Sequence, residues 1–140
     1  MNNERGSVPI WFLGLGFCLL MLGAMSAELW RIMGERQELV AMADGAAVAA
    51  ASAIDLEIYR EQGVPILDPA HASSLALAVI SQSSGALDLA APPIIEVADD
   101  GTSLRVELKR HVPFGLIRFL SMGDDSFEVT GVAVAYPFSP

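Results

Sequence analysis

The N-terminal part of the chain shows one helical pattern of apolar and polar positions. Residues 8–27 carry no charged side chain. Through residues 29–54, apolar side chains recur at three- and four-residue steps while charged side chains fill the opposite side. No proline follows Pro9 until Pro65. The spacing therefore predicts a single long helix over about residues 8–59.

Residues 8–27 have the length and composition of a membrane-spanning helix. At about 1.5 Å per residue they cover roughly the 30 Å hydrocarbon core of a bilayer. A helix satisfies its own backbone hydrogen bonds, as lipid requires. Trp11 and Trp30 lie near the two ends, where tryptophan favours the membrane interface. The pattern predicts a short head at residues 1–7, a single transmembrane helix at 8–27 and an extracytoplasmic domain at 28–140.

The charges beside this segment give only a weak indication of its orientation. Arg5 precedes it and Arg31 and Arg36 follow it, so the positive-inside count mildly favours a cytoplasmic C-terminal domain. Two other interpretations of the segment stay open. One is a secretory signal that is cleaved after Ser26 or Ala27. The other is the buried core helix of a soluble protein.

Small residues share one side of the predicted membrane helix. Gly16, Gly23, Ala24 and Ala27 follow one another at positions i, i+7, i+8 and i+11. Small side chains let membrane helices approach closely, so these residues are candidates for self-association or for binding a partner helix. Glycine is also frequent in membrane helices that have no such role, and that alternative stays open.

An alanine-rich stretch at residues 42–53 predicts a second packing surface. Alanine has the highest helix propensity but buries little area, which suits close packing against a sheet or another helix. Ala43, Ala47 and Ala50 are the candidate contacts, and Asp44 stands beside them. Asp44 is interpreted as a solvated surface carboxylate, or alternatively as a contact with a partner subunit or with an arginine of the domain.

Two further helices are predicted after the long one. Residues 63–65 end the long helix, and residues 69–82 form the next one with Asp68 as its N-cap. Pro113 is expected to open a short third helix that closes near Gly123. Its inward-facing residues are Phe114, Ile117 and Leu120.

Three segments have the patterns of β-strands. Residues 94–98 form a short predicted strand, residues 127–136 are rich in valine and alanine, and residues 103–109 alternate strictly between apolar and polar side chains. Residues 99–101, Asp-Asp-Gly, are a hairpin signal between the first two strands. We therefore predict an α+β fold, in which a long N-terminal transmembrane helix continues into a small domain with a three-stranded antiparallel sheet packed on its alanine stretch.

Composition excludes several classes of function. The formal net charge is -9, and 7 basic and 16 acidic residues lie from Glu28 onward. Such a surface repels phosphate backbones, so nucleic acid is not an expected partner. The single cysteine, Cys18, lies inside the apolar segment, and His71 and His111 are 40 residues apart. These residues predict neither an intrachain disulfide nor a cysteine- or histidine-based metal site.

The sequence contains no catalytic or cofactor-binding motif. It lacks a phosphate-binding loop, a nucleophile elbow and a calcium loop. Asp99-Asp100 and Asp124-Asp125 are carboxylate pairs in predicted turns. Turn formation explains them better than calcium binding or acid–base catalysis. We predict a protein that is not an enzyme and that binds no cofactor and no metal.

Several stretches resemble one protein family. Residues 5–8, Arg-Gly-Ser-Val, precede the apolar helix, and residues 28–31, Glu-Leu-Trp-Arg, follow it. The most specific stretch combines residues 36–39 with the alanine-rich residues 43–51. The last strand, with Ala-Val-Ala at 133–135, is also similar. On these residues the chain resembles the TadE/TadG-like proteins of tight-adherence (Flp-type) pilus assembly.

The resemblance implies a membrane-anchored pilin-like or assembly component of such a pilus. Its expected place is the bacterial cytoplasmic (inner) membrane, with the N-terminus inside and the C-terminal domain extracytoplasmic. The implied partners are other pilus-assembly or pilin subunits, the lipid bilayer and further copies in a homo-oligomer. A prepilin peptidase would cut after Gly6 and leave Ser7 as the first residue. Trp11 departs from the family pattern, because pilins of this kind usually carry a glutamate there.

A second interpretation assigns the chain to a different class. Release by signal cleavage would turn it into an exported binding or accessory module. The two interpretations differ in whether the mature protein keeps the apolar helix.

Overall fold

A computed structural model describes residues 7–113, 115 and 126–138. Seven elements follow one another along the chain, and the α+β class is confirmed. They are helices α1 (Ser7–Ala50), α2 (Leu56–Gln62) and α3 (Pro69–Gln82), a 3-10 turn (Ala86–Asp88), and strands β1 (Ile94–Val97), β2 (Leu104–Pro113) and β3 (Ser126–Ala135).

The long helix ends earlier than its sequence pattern predicts. It stops at Ala50, so the predicted continuation to Tyr59 is wrong. Two long-range hydrogen bonds hold the chain that follows: the Asp55 N–H donates to the Ile66 carbonyl at 2.8 Å, and the Asp68 N–H donates to the Ala53 carbonyl at 2.9 Å. These bonds tie the chain to a neighbouring segment, and a continuing helix could not make them.

A short separate helix occupies the rest of that predicted length. Asp55 begins α2, because its carboxylate accepts hydrogen bonds from the backbone N–H groups of Glu57 at 2.9 Å and Ile58 at 3.1 Å. Gly63 ends α2 in the left-handed conformation, with φ at 69°, which only glycine adopts without strain. Apolar residues keep their helical spacing through this stretch, but Asp55 caps a new helix within it.

Helix α3 has the predicted limits. Asp68 is its N-cap and accepts hydrogen bonds from the N–H groups of Ala70 at 3.0 Å and His71 at 3.3 Å. Pro69 stands in its first turn, where a missing N–H is harmless. Helix α3 packs against α1. Its buried residues are Ala72, Ala76 and Ile80.

The sheet is antiparallel with β2 in the centre and the order β1-β2-β3. The predicted hairpin joins β1 to β2, and Gly101 supplies its positive φ of 66°. Strand β2 runs on to Pro113, which pairs with Ser126. Pro113 is therefore the last residue of a strand. The short helix predicted after it falls on Phe114, Ile117, Leu120 and Gly123, outside the described residues.

The core lies between α1 and one face of the sheet. Leu104, Val106 and Leu108 of β2 are fully buried there. At Gly131 of β3, an added Cβ would stand 3.1 Å from the backbone of Leu39 on α1. That contact is tighter than a side chain tolerates, so glycine lets helix and sheet approach closely.

Candidate functional site

The first half of α1 is an apolar helix that the domain does not cover. Trp11 is 77% exposed and Leu13 is 78% exposed. Among the described residues, α1 is the one helix long and apolar enough to cross a membrane, and no part of its most apolar window is buried. The interpretation as a buried core helix is therefore wrong. The segment is compatible with a single-pass membrane anchor.

The small-residue side of this segment is largely exposed in the described part of the chain. Gly16, Gly23 and Ala27 are exposed, and Ala24 is half-buried. A Cβ at either glycine would meet no heavy atom within 4 Å. The surface is thus open to a neighbouring helix, and its use as an interface stays a prediction.

The predicted processing point lies at the edge of the described chain. Gly6 is outside the described residues, and Ser7 is the first residue of α1. The structure therefore leaves cleavage between them as a prediction.

A cluster of polar contacts begins directly after the apolar segment. The Arg31 Nη2 lies 2.7 Å from Glu28 Oε1 and also donates to the Pro113 carbonyl at the end of β2. The Gly115 N–H donates to the same Glu28 oxygen at 2.9 Å. The Arg31 guanidinium, followed by the Gly115 N–H, lowers the pKa of Glu28, and the hydrogen bond to Glu28 raises the pKa of Arg31. These contacts tie the end of β2 to the first turn of α1 beyond the apolar segment.

A buried arginine makes the second link between helix and sheet. Arg110 lies on the inner face of β2 and is only 4% exposed. Its Nη1 lies 2.9 Å from Glu35 Oε2 and 3.7 Å from Glu38 Oε2 on α1. Its Nη2 donates to the Gly85 carbonyl at 3.2 Å. A buried charge requires such partners, because leaving water without them costs several kcal/mol.

Gly85 makes room for this arginine. It is buried, and a Cβ there would overlap the Arg110 guanidinium. The Arg110 Nε is buried and has no hydrogen-bond partner in the described part of the chain. A polar cavity of about 260 Å³ adjoins the guanidinium and is bordered also by Arg31, Glu35 and Asp88.

Sequence reasoning missed the Arg110 cluster although a signal for it exists. The alternation predicted for β2 ends at Lys109, but the same parity continued by one step places Arg110 on the buried face. Glu35 and Glu38, three residues apart, share one side of α1 and supply matching charges. A cation on a buried strand position, with two carboxylates on one helix face, is the pattern that would have indicated the pair.

The alanine stretch contributes to the core of the domain. Ala43, Ala47 and Ala50 are all at most 1% exposed and belong to the core cluster. Asp44 points away from this cluster and is exposed. In the described chain, the domain arginine Arg110 contacts carboxylates of α1. These are Glu35 and Glu38, and not Asp44.

The carboxylate pair of the β1–β2 hairpin has a local explanation. Asp100 accepts hydrogen bonds from the Thr102 N–H at 3.0 Å and the Thr102 hydroxyl at 2.8 Å. These bonds lower the pKa of Asp100 and shape the turn. The second pair, Asp124-Asp125, lies outside the described residues.

A comparison with known protein families finds a family model that matches the part of the chain built around α1. The matched stretch, residues 6–53, contains the apolar segment, the helix side of the polar junction and the alanine stretch, and it ends in the turn that follows α1. The family is described by pilus assembly and not by an enzyme activity. No curated protein and no solved structure matches the chain. Residues 6–53 are thus similar to the Tad family, described as putative Flp pilus-assembly TadE/G-like, in agreement with the resemblance noted in the sequence.

Proposed function

We propose that this protein is a membrane-anchored pilin-like or assembly component of a tight-adherence (Flp-type) pilus. The observation that supports the proposal best is the division of α1 into two halves. One continuous helix has an uncovered apolar half and a half on which the domain is built. The family match covers both halves of that helix.

In the proposed topology, the helix supplies the span, and the family resemblance supplies the orientation and the membrane. Residues 1–7 form the head, residues 8–27 span the bacterial inner membrane, and residues 28–140 form the extracytoplasmic domain. Arg31 and Arg36 after the span count against this orientation in the positive-inside rule. A folded domain of this size is translocated largely regardless of its charge.

The proposed partners are other pilus-assembly or pilin subunits in the membrane, the bilayer itself and further copies of the chain. The side of α1 that holds Gly16, Gly23, Ala24 and Ala27 supports this proposal, since in the described chain Gly16, Gly23 and Ala27 are exposed and a Cβ at either glycine would meet no heavy atom within 4 Å. Close helix packing in lipid depends on small residues of this kind.

The alternative is an exported binding or accessory module that signal cleavage releases. Cleavage after Ser26 or Ala27 would leave Glu28 at or beside the new N-terminus. Glu28 could then keep its contacts with Arg31 and Gly115. The helix is continuous through this point. The two functions therefore differ in the mature N-terminus.

The deciding experiment is the intact mass and N-terminal sequence of the protein from its native membranes. A start at Met1 supports an uncleaved anchor with an assembly role, and a start at Ser7 supports a minor pilin that a prepilin peptidase accepts. A start at Ala27 or Glu28 contradicts the membrane proposal. Deleting the chain should also abolish pili on the cell surface, and normal piliation would contradict the pilus role.

A further inference from the structure

The polar junction fixes the height of the domain above the apolar segment. Glu28 and Arg31 hold Gly115 and Pro113, and they stand only one to four residues beyond residue 27. At about 1.5 Å per residue along a helix, the end of β2 lies roughly 2–6 Å from the end of the apolar segment. A spanning helix would thus bring this end of the domain to the membrane surface.

Exposed apolar side chains gather at that height. Trp30 is 82% exposed, and Leu29 is 58% exposed. Phe127, 56% exposed, pairs with Val112 next to the end of β2. Leu87 is 96% exposed at the tip of the 3-10 turn.

The position of Leu87 follows from its neighbour. Asp88 borders the same cavity as Arg31 and Glu35, which stand four and eight residues beyond residue 27, or roughly 6–12 Å along the helix. The headgroup layer on each side of a bilayer is about 5–8 Å thick. These side chains lie on different sides of α1, but a membrane is a plane and contacts every residue at one height.

We infer that this end of the domain rests on the bilayer, with Leu87 and Phe127 among the lipid headgroups and Trp30 at the same interface. The inference rests on the proposed membrane anchoring. A lone exposed leucine is ordinary on a protein surface. A group of exposed apolar side chains at the height of the headgroups, however, can be buried in the membrane interface. The opposite end carries the exposed carboxylates Asp99 and Asp100 and also has exposed apolar side chains such as Leu56 and Tyr136, so the distance from the apolar segment, and not apolar exposure alone, distinguishes the two ends.

The lipid surface that fits this end is zwitterionic. Carboxylates of Glu28, Glu35 and Asp88 also lie on this end of the domain. Arg31 compensates for Glu28, and Arg110 compensates for Glu35. Arg36 is exposed beside Glu35, so the described residues near this end carry no excess of positive charge. Contact should therefore depend on apolar insertion and should not strengthen when anionic lipid is added.

The test places a fluorescent probe at the proposed contact and at a matched distant site. The full chain carries Cys18→Ala, and a single cysteine is introduced by Leu87→Cys or Val134→Cys and labelled with the environment-sensitive dye NBD. Val134 is also exposed and apolar but pairs with Arg105, near the other end of β2. Both proteins are reconstituted in phosphatidylcholine vesicles with or without headgroup-spin-labelled lipid.

We expect a blue shift and loss of emission at residue 87 and neither at residue 134. Lack of quenching at both positions, in protein that stays with the vesicles, overturns the inference and leaves the anchor intact. Quenching at both positions also overturns it, because the height argument would be wrong. A blue shift at residue 87 without quenching by the labelled lipid would mean that a protein surface covers Leu87. Failure of the chain to stay with the vesicles would overturn the anchoring proposal and this inference together.

Discussion

The two halves of α1 form one helix but meet different surroundings. Residues 9–27 are uncharged on every side and are not buried by the described domain, whereas residues 28–50 contribute one apolar side to its core. Backbone geometry is the same in both halves. The difference teaches that the distribution of side chains around the helix, and not its helicity, decides which half faces lipid and which half faces a sheet.

The polar contacts of α1 lie where these two surroundings meet. Glu28, Arg31, Glu35 and Glu38 all contact the end of the domain nearest the apolar segment. Beyond them, from Leu39 onward, the buried side of α1 is apolar. The domain is thus held to the helix by specific polar links near the apolar segment and by close alanine packing farther away.

Breaking the packed half should have the largest effect. Ala47→Arg places a charge at a position that is 1% exposed, next to the sheet. Burying an unpaired charge is prohibitive, so we expect loss of cooperative unfolding and rapid proteolysis of the domain. Thermal unfolding and limited proteolysis of the full chain in detergent measure this. Ala41→Arg is the control, since Ala41 is exposed on the same helix, and equal stability of the two variants would contradict the packing.

Removing the carboxylates that face the buried arginine should come next. In Glu35→Gln/Glu38→Gln, Arg110 loses both charged partners, and the expected cost is about 3–5 kcal/mol in the free energy of unfolding. Adding Arg110→Met to this variant should restore much of the loss, because an apolar side chain suits that site. Chemical denaturation measures both, with Glu61→Gln on exposed α2 as the control. A double variant as stable as the wild type would refute the role of the pair.

A charge in the uncovered half should spare the fold and disturb membrane insertion. Leu19 is 61% exposed, so Leu19→Arg leaves the domain intact. In a bilayer, an arginine near the centre of a spanning helix costs about 2.5–3.5 kcal/mol of insertion free energy. Membrane fractionation and domain unfolding are measured together, with Leu19→Met as the control. A strong loss of domain stability would contradict the separation of the two halves.

The smallest expected effect is the pH dependence of the junction. The lowered pKa of Glu28 means that its ionised form is favoured in the folded state. Its contribution is complete above the ordinary glutamate pKa of about 4.3 and is lost as the pH falls through the lowered value. Glu28→Gln should slightly reduce the pH dependence of the unfolding free energy below about pH 5. The effect should be small because the site is exposed. A steeper acid dependence in the variant would contradict this sign.

Much of the fold could be predicted from local pattern. The limits of α3 follow from Asp68 and Pro69, the hairpin from Gly101, and the buried face of β2 from its alternation. These features depend on interactions between residues close in sequence. The family resemblance likewise depended on the composition of α1, which the sequence displays directly.

The features that were predicted wrongly or not predicted depend on residues that are distant in sequence. The end of α1 at Ala50 depends on hydrogen bonds with Ile66 and Asp68, and no local breaker marks it. The Arg110 cluster joins residues 75 positions apart and needs Gly85 from a third element. The alternation of β2 can indicate that Arg110 is buried, but the sequence does not reveal that Gly85 makes room for it.

The sequence by itself thus determined the apolar helix, the alternating strand and the family resemblance, because each is a regular local pattern of side chains. Tertiary structure alone decided where α1 stops and which charges are buried. It also decided how close the domain stands to the apolar segment, through Glu28, Arg31 and Arg110. The physical reason is that these outcomes depend on which distant backbone and side-chain groups satisfy one another once the sheet packs on the helix.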